Sequence, residues 1–192
     1  MKTTESAAAR MNPTYTIAPA RPQHIEALPG IERAAATLLK GYVHPSILEE
    51  SCAEAELRRA QQEGMLWVAL ADDTPVGFAL VKMLAEDLPH LQEMDVSPEH
   101  GRRGLGTALL QAALDWLARS GHQRMTLTTF RHIPWNMPFY SRMGFEEIHS
   151  GALRPELETV IRDEGARGLD LAQRVVMGYR MNAAQPGIAT DG

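Results

Sequence analysis

The chain has 192 residues and a formal net charge of −5, a length that suits one compact α/β domain and is too short for two full ones. The negative charge gives no reason to expect nucleic acid or an anionic membrane surface as a partner. No apolar stretch approaches the roughly 20 residues that are needed to span a bilayer.

The two ends of the chain and its single cysteine indicate a simple organisation. Residues 1–12 lack an apolar signal-peptide core, so we expect a disordered leader, and the polar residues 182–192 predict a disordered tail. Cys52 is the only cysteine, which rules out an internal disulfide and suits a reducing cytoplasm. We expect Cys52 to be a half-buried helical residue, because no base stands near it in the sequence.

The first part of the chain predicts a strand and two helices. Tyr15–Ala18 alternates like a short strand. Apolar residues then recur every three or four positions from Gln23 to Leu38, which predicts a helix with a break at Pro29-Gly30. Ser46 is a good N-cap for a second helix, which we expect to continue to about Gln62.

The middle of the chain predicts a β-hairpin followed by a third strand. Leu66–Leu70 and Val76–Leu84 are apolar segments, and Asp72-Asp73 lies at the tip of the turn between them. Leu88–Val96 predicts the next strand, which Ser97-Pro98 ends.

The remaining elements alternate between helices and strands. They are a helix at Leu105–Arg119, a strand at Arg124–Thr129, a short helix at Trp135–Arg142, a strand at Phe145–His149, a helix at Pro155–Gly165 and a strand at Val175–Met181. Gly144 follows the short helix at the position where a left-handed cap residue is expected.

A glycine-rich turn precedes the helix that begins near Leu105. The turn does not match the dinucleotide fingerprint, because Leu109 stands where a third glycine is required. It does not match the P-loop either, because Thr107 stands where a lysine is required. The unpaired N–H groups at a helix start nevertheless attract anions, and Gly104 and Gly106 would let a ligand approach the backbone closely.

Two arginines, Arg102 and Arg103, precede these glycines and add charged hydrogen-bond donors. The turn alone leaves two interpretations open: a phosphate site, or a solvent-exposed corner with two surface arginines.

Two segments together resemble the Gcn5-related N-acetyltransferases. Residues 91–106, LQEMDVSPEHGRRGLG, are similar to the family's acyl-CoA motif, a strand ending in Val-x-Pro followed by Gln/Arg-x-x-Gly-x-Gly/Ala. Residues 138–145, PFYSRMGF, are similar to its second hallmark, Phe-Tyr-x-(basic)-x-Gly-Phe. The resemblance extends over the order of elements from Tyr15 to Met181, so it implies one N-acetyltransferase domain at residues 13–181.

The resemblance implies an α/β (α+β) fold with a mixed, mostly antiparallel twisted sheet of six to seven strands, helices on its flanks and a splayed acyl-CoA cleft. It implies a cytoplasmic enzyme that transfers acetyl from acetyl-CoA to a primary amine, first of all that of a small molecule, by direct attack on the thioester. A protein or peptide amine, and a non-catalytic acyl-CoA-binding module, are the alternatives. A homodimer is possible if Val175–Met181 is an unpaired edge strand.

The resemblance also assigns contacts to acyl-CoA. They fall on Met94, Val96, Gly101, Arg102, Arg103, Gly104, Leu105, Gly106, Thr107, Asn136, Phe139 and Arg142. The contact of Val96 is made by its backbone N–H, which would stabilise the oxyanion. The chain departs from the family pattern at Gly101, where Gln or Arg is usual, and at Ile133, where Asn is frequent, so that Asn136 is the nearest amide.

By its position in the second motif, Tyr140 matches the general acid of the family. A phenol suits this role because its pKa near ~10 keeps it protonated until a thiolate develops. For the base we choose Glu93, which shares one strand face with Asp95. Packing roles for Tyr140 and the two carboxylates, and deprotonation by water, remain open.

The acceptor and a metal are harder to predict. His132 is either a substrate contact or a surface residue, and Trp135 is either an aromatic wall for the acceptor or a packing residue. The segments 31–62, 130–135 and 155–165 would cover the acceptor, but their mixed charges identify no substrate. The seven histidines show no metal-ligand spacing, so we predict no metal.

Overall fold

In the computed structural model, which describes residues 13–181, seven strands form one open sheet in the order β1-β2-β3-β4-β5-β7-β6. The strands are β1 Tyr15–Pro19, β2 Leu66–Ala71, β3 Thr74–Ala85, β4 Leu88–Val96, β5 Arg124–Phe130, β6 Phe145–Glu147 and β7 Arg174–Arg180. The helices are α1 Leu28–Ala36, α2 Glu54–Gln62, α3 Leu105–Arg119, α4 Asn136–Arg142 and α5 Pro155–Ala166. The predicted leader and tail lie outside the described residues.

The sheet is mixed, as predicted. Between residues 13 and 181 only β4 and β5 pair in parallel, and every other neighbouring pair is antiparallel. Asp72 and Asp73 form the tip of the β2–β3 hairpin with φ values of 47° and 73°. Two consecutive left-handed residues match the twist of the flanking strands, which is why this turn closes a tight hairpin.

The β4–β5 pair opens after two residue pairs. His90 lies opposite Thr126 and Leu91 opposite Leu127, and the paired segment of the two strands ends there. On its other side β4 carries a bulge, because Leu80 and Val81 of β3 face Glu93 and Leu91 and leave Gln92 as the extra residue. A bulge bends a strand and re-aims the side chains that follow it. The carboxyl ends of β4 and β5 therefore diverge and leave a cleft.

Buried side chains cover both faces of the central strands, since all six residues of β2 are buried, and α3 is one of the helices that pack on the sheet. Leu109, Leu110, Ala113 and Leu117 of α3 are fully buried, and α3 contacts β2, β3 and β4. Each buried leucine contributes roughly 1.5–3 kcal/mol of hydrophobic stabilisation. This packing fixes the N-terminus of α3 at the open end of β4.

The predicted helix from Ser46 to Gln62 is wrong in its first half. The structure has a 3₁₀ turn at Pro45–Glu49 and an extended stretch before α2. The backbone N–H of Cys52 in this stretch donates a hydrogen bond to the carboxylate of Glu32, at 2.8 Å, instead of to a helical carbonyl. Cys52 is half-buried as predicted, but it is not helical.

The first predicted helix is likewise divided. A 3₁₀ helix at Pro22–Ala27 precedes α1. Pro29 lies in the first turn of α1, where the missing N–H has no intrahelical partner to lose. The break therefore comes just before the proline and not at Pro29-Gly30.

The possible homodimer through Val175–Met181 loses its basis. That segment is β7, and β7 is paired on both edges, with β5 and with β6. Within residues 13–181 the edges of the sheet are β1 and β6. The chain passes through β6 and α5 before β7 inserts beside β5, an order that a list of strands along the sequence cannot reveal.

Candidate active site

One cavity of about 1390 Å³ occupies the cleft between β4 and β5. The residues predicted to be catalytic or to contact acyl-CoA all lie on its wall; they are Glu93, Met94, Val96, Gly101, Arg102, Arg103, Gly104, Leu105, Gly106, Thr107, Asn136, Phe139, Tyr140 and Arg142. The tertiary structure thus brings two distant segments of the sequence to one place. The roles of these residues stay predictions.

The glycine turn presents bare backbone to this cavity. Gly104 is the N-cap of α3 with φ of 80°, and no side chain caps the helix. The N–H groups of the first turn therefore have no intrahelical partner and are available to an anion. A Cβ placed on Gly106 would meet only the Phe139 ring, at an ordinary 3.9 Å, so crowding within the chain does not require a glycine there.

Gly101, the departure from the family pattern, has a local packing reason. Its N–H donates to the carbonyl of Pro98 at 3.1 Å. A Cβ on Gly101 would lie 3.2 Å from the same carbonyl oxygen, which is closer than side chains normally approach. A side chain at position 101 would therefore require this carbonyl to shift by a few tenths of an ångström.

Arg103 lies at the rim of the cavity and is held there by residues that the sequence did not single out. Its guanidinium carbon lies 5.7 Å from the centre of the Tyr15 ring. The Tyr15 hydroxyl is 3.0 Å from Nδ1 of His100, which also lines the cavity. Arg103 is thereby placed beside the helix N-terminus, where Gly101 offers no side-chain donor.

Tyr140 stands across the cavity on α4. Its ring packs edge-on against Phe139 and Phe145, with centroid distances of 5.1 and 5.9 Å. Burial, followed by the charges of Glu93 and Asp95, raises the pKa of the phenol above its usual range. The hydroxyl therefore keeps its proton at working pH. The segment ends at Gly144, whose φ of 87° is that of the predicted left-handed cap.

Two carboxylates line the cavity on the open half of β4. Burial, followed by the charge of Glu32, raises the pKa of Glu93 to about 7. Burial, followed by the charge of Glu93, raises the pKa of Asp95 well above its usual range. The pair therefore binds a proton more tightly than exposed carboxylates do, and Glu93 changes charge near neutral pH.

Glu32 and Cys52 join this carboxylate pair, although the sequence analysis missed Glu32. The carboxylates of Glu32 and Glu93 and the Cys52 thiol have atoms within 4.8 Å of one another. Burial, followed by the charge of Glu93, raises the pKa of the thiol above its ordinary range. The sequence around Glu32 does not indicate that this residue belongs to the site, because its position beside Glu93 depends on the packing of α1 against β4.

The same three side chains are the one group within residues 13–181 whose donor atoms are arranged as a metal site would need. A metal ion would require the Cys52 thiolate, and its surroundings favour the neutral thiol. We assign no metal to the group, and the expected absence of a metal stays a prediction.

The backbone of Val96 faces the cavity. The next residue, Ser97, donates its N–H to Val76 of β3 at 2.8 Å. Backbone N–H groups of successive strand residues point to opposite edges. The N–H of Val96 is therefore directed away from β3 and towards the opening between β4 and β5.

The loop that covers one side of the cavity is held by three aromatic residues. His132 Nε2 lies 3.0 Å from the carbonyl oxygen of Tyr42, and the Tyr42 ring meets Trp135 edge-on at 5.3 Å. Trp135 lines the cavity and is 44% exposed, whereas His132 is outside the lining. This arrangement favours the aromatic-wall interpretation of Trp135 and a loop-holding role for His132.

The opposite wall is built on a buried ion pair. Glu164 of α5 accepts hydrogen bonds from Arg174 of β7, the shorter at 2.7 Å, and from the Thr128 hydroxyl. The Arg174 guanidinium also lies over the Phe130 ring at 4.4 Å. Arg167, one turn further along, pairs with Glu50 at 3.3 Å. These contacts join α5 to β5, β7 and the segment before α2.

Comparisons with known proteins agree with the fold and with the family resemblance. The model of the acetyltransferase (GNAT) family matches residues 35–145. Over 97 residues the chain is 27% identical to an uncharacterized N-acetyltransferase of Methanocaldococcus jannaschii, a match covering 47% of this chain and 42% of that protein. The match therefore spans less than half the length of that curated relative.

Solved structures show the same fold at low identity. The PaiA N-acetyltransferase of Thermoplasma acidophilum, in complex with coenzyme A, superposes with a TM-score of 0.69 at 18% identity and covers 88% of this chain and 99% of that one. The ribosomal-protein-S18-alanine N-acetyltransferase of Escherichia coli gives a TM-score of 0.62 at 18% identity, covering 90% and 97%. In addition, the described residues contain no helix long and apolar enough to span a membrane.

Proposed function

The chain belongs to the acetyltransferase (GNAT) family, whose model matches more than half of its length, and from this premise we propose that it is an acetyl-CoA-dependent N-acetyltransferase acting on a primary amine of a small molecule. The observation that carries the proposal is one cavity whose wall contains three features. They are the uncapped N-terminus of α3, the Tyr140 phenol, whose pKa is raised so that it keeps its proton, and the Glu93 carboxylate, whose pKa is about 7.

The glycine turn at the uncapped N-terminus of α3 fits the phosphates of coenzyme A. The uncapped N–H groups of α3 and the positive end of its dipole favour a negative charge, and Arg103 stands beside them. Since Gly106 carries no Cβ, the pantetheine side of a ligand can lie against the backbone. When bound, acetyl-CoA supplies an acetyl group activated as a thioester.

The residues of the cavity then divide the chemistry among them. Glu93 accepts the proton of the acceptor ammonium, directly or through water, so that a neutral nitrogen attacks the thioester carbonyl. The N–H of Val96 donates a hydrogen bond to the carbonyl oxygen as negative charge develops on it. Tyr140 gives its proton to sulfur as the C–S bond breaks, and the second proton that the acylated nitrogen loses restores the phenol. The products are an N-acetyl amine, coenzyme A and one released proton.

Contacts between segments that border the cavity support a small acceptor over a protein. The Escherichia coli structural neighbour is named for the alanine of a ribosomal protein, so the fold alone does not select the acceptor class. In this chain Arg167 pairs with Glu50 on the cavity wall, and the His132–Tyr42 contact holds the loop that carries Trp135. These links narrow the approach for a folded protein or a long peptide.

The exchange of Tyr140 for Phe tests the proposal. Tyr140→Phe keeps the packing of the ring and removes the proton donor, so turnover should fall about 100- to 10,000-fold. The affinity for acetyl-CoA, measured by calorimetry, should stay within about twofold. Tyr179→Phe is the matched control, because Tyr179 packs beside Gly144 and Phe145 outside the cavity.

Release of the coenzyme A thiol across a panel of amines, amino acids and peptides provides the readout. Tight binding of acetyl-CoA without release by any acceptor would favour the alternative, a non-catalytic acyl-CoA-binding module. Unchanged turnover in Tyr140→Phe would remove the general-acid role. The cytoplasm as compartment is part of the proposal and is supported only by the chain's one cysteine.

A further inference from the structure

The turn at residues 97–104, which precedes α3, departs from the family pattern at Gly101 and offers side chains on both sides of that position. His100 and Arg103 flank Gly101, and both line the cavity. The family resemblance points to Arg103 as a coenzyme contact, whereas nothing in the sequence points to His100. Both side chains contact one residue of β1, Tyr15, which the family motifs do not include.

The register of the sheet explains how β1 reaches this turn. Tyr15 at the start of β1 lies opposite Ala71 at the end of β2, and Ala71 lies opposite Thr74 at the start of β3. The same end of β3 pairs with the end of β4, where Gly77 lies opposite Val96. Tyr15 and the start of the turn are therefore at one end of the sheet, and the chain after Val96 folds back across β3 and β2 to contact Tyr15.

The contact with Tyr15 positions Arg103 without using its hydrogen-bond donors. The guanidinium carbon lies 5.7 Å from the centre of the Tyr15 ring, a distance within the range of a cation–π interaction. Such a contact uses the flat face of the guanidinium, whereas its N–H groups point outwards in the plane of the group. None of the ion pairs within residues 13–181 involves Arg103. Its charge is therefore available to an anion in the cavity.

Tyr15 also determines which ring nitrogen of His100 can donate a hydrogen bond. The Tyr15 hydroxyl lies 3.0 Å from Nδ1 of His100, 85 residues further along the chain, and the two rings meet edge-on with centroids 5.8 Å apart. When the phenol donates to Nδ1, the neutral imidazole carries its own proton on Nε2. His100 then offers an N–H donor beside Gly101, where the chain itself has no side chain.

We propose that Tyr15 is a positioning residue for the coenzyme, which holds Arg103 and His100 so that their N–H groups bind the pyrophosphate of acyl-CoA in place of the side chain that Gly101 lacks. This inference rests on the proposed use of acetyl-CoA, and it adds His100 to the residues that contact the coenzyme. An anionic pyrophosphate suits these donors, because hydrogen bonds from a guanidinium to phosphate oxygens are charge-assisted.

Arg103→Gln tests the contact itself, by calorimetric titration of the full chain with coenzyme A. The Kd should rise about 10- to 100-fold, as expected for the loss of a charge-assisted hydrogen bond. Because the reacting groups are elsewhere in the cavity, kcat at saturating acetyl-CoA should stay within about twofold of the wild type. Arg119→Gln is the matched control and should leave the Kd unchanged, since Arg119 is exposed at the other end of α3 and outside the cavity lining.

The role of Tyr15 is tested by its coupling to the two residues that it holds. Tyr15→Leu removes both contacts and should raise the Kd for coenzyme A about 3- to 10-fold, whereas Tyr15→Phe keeps the ring beside Arg103 and should raise it about twofold. In the double variant Arg103→Gln, His100→Ala, the further change Tyr15→Leu should not raise the Kd, because nothing remains for the ring to position. A general loss of stability would instead appear in both backgrounds.

Acyl donors that lack particular phosphates show which group is bound. S-acetylpantetheine carries the same thioester without the pyrophosphate, so kcat/KM for this donor should stay within about twofold of the wild type in Arg103→Gln and Tyr15→Leu. For acetyl-CoA, kcat/KM should fall by the factors given for the Kd. 3′-Dephospho-coenzyme A keeps the pyrophosphate and lacks only the terminal phosphate, so the loss of affinity in Arg103→Gln should persist with this ligand.

The outcomes separate this inference from the proposed function. An unchanged Kd in Arg103→Gln, an equal loss with S-acetylpantetheine, or a further rise when Tyr15→Leu is added to the double variant overturns the inference and leaves the acetyltransferase proposal standing. A loss that disappears with 3′-dephospho-coenzyme A also overturns it, because the terminal phosphate would then be the contact. The expected losses of affinity without thiol release by any acceptor overturn the acetyltransferase proposal alone. A wild type that does not bind coenzyme A overturns both.

Discussion

The two halves of β4 hold ionisable side chains in poorly solvated surroundings, and the pKa values of these side chains shift in opposite directions. In the paired half, His90 is 1% exposed and its Nδ1 lies 2.9 Å from the Thr126 hydroxyl. In the open half, Glu93 and Asp95 face the cavity next to another carboxylate, that of Glu32. Burial shifts the pKa of His90 down, to about 3, and that of Glu93 up, to about 7.

Both shifts favour the uncharged form, because a poorly solvated site penalises charge of either sign. The difference lies in the working range. His90 stays neutral at any physiological pH and serves the sheet, whereas Glu93 titrates where a general base is useful. The end of the β4–β5 pairing thus divides one strand into a structural half and a chemical half.

The largest expected effect belongs to the open half. Glu93→Gln removes the proposed base, so kcat/KM at pH 8 should fall about 100- to 10,000-fold. In the wild type kcat/KM should rise with pH through about 7, since Glu93 must lose its proton to act, and the variant should lack this rise. Thiol-release assays from pH 5.5 to 8.5 measure both, with Glu86→Gln, an exposed site beyond the end of β3, as control.

A pH profile that keeps its inflection near 7 in Glu93→Gln would assign the base elsewhere, to Asp95 or to water.

The paired half should show itself in acid. The folded pKa of His90 lies below the unfolded value, so its neutral form stabilises the protein above pH 6.5 and this stability is lost as pH falls towards 3. Between pH 6.5 and pH 4 the loss should be about 3 kcal/mol. Urea unfolding of His90→Gln, which cannot titrate but can still hydrogen bond to Thr126, should show a correspondingly shallower acid decline.

Parallel declines of the wild type and His90→Gln between pH 6.5 and pH 4 would contradict this account of His90.

The smallest effect is a stability gain in the open half. The pKa of Glu93 is higher in the folded than in the unfolded protein. The stability that the protonated side chain contributes is therefore fully present below pH 4.5 and is lost as pH rises through about 7. In urea denaturation at pH 8, the free energy of unfolding of Glu93→Gln should therefore exceed that of the wild type by about 2 kcal/mol, after allowance for partial solvent contact of the carboxylate. At pH 4.5 the two proteins should have nearly the same stability. A variant less stable than the wild type at pH 8 would show that Glu93 is a structural residue.

Many of the secondary-structure elements and the cavity residues could be predicted from the sequence. Alternation and helical spacing gave most of the strands and helices, because their apolar faces must meet a core. The tight hairpin at Asp72-Asp73 and the turn at Gly104 followed from local backbone geometry. The two motifs at residues 91–106 and 138–145 predicted a family and a set of cavity residues.

Other features depend on partners that are distant along the chain. The extended segment at Cys52 depends on Glu32, 20 residues earlier, and the position of β7 inside the sheet depends on its two neighbours. The approach of Glu32 and Cys52 to Glu93 arises only when α1 packs against β4. Local pattern thus determined the elements and the family motifs, whereas the raised pKa of Glu93 was decided by tertiary packing, since electrostatic fields depend on distance in space and not on distance in sequence.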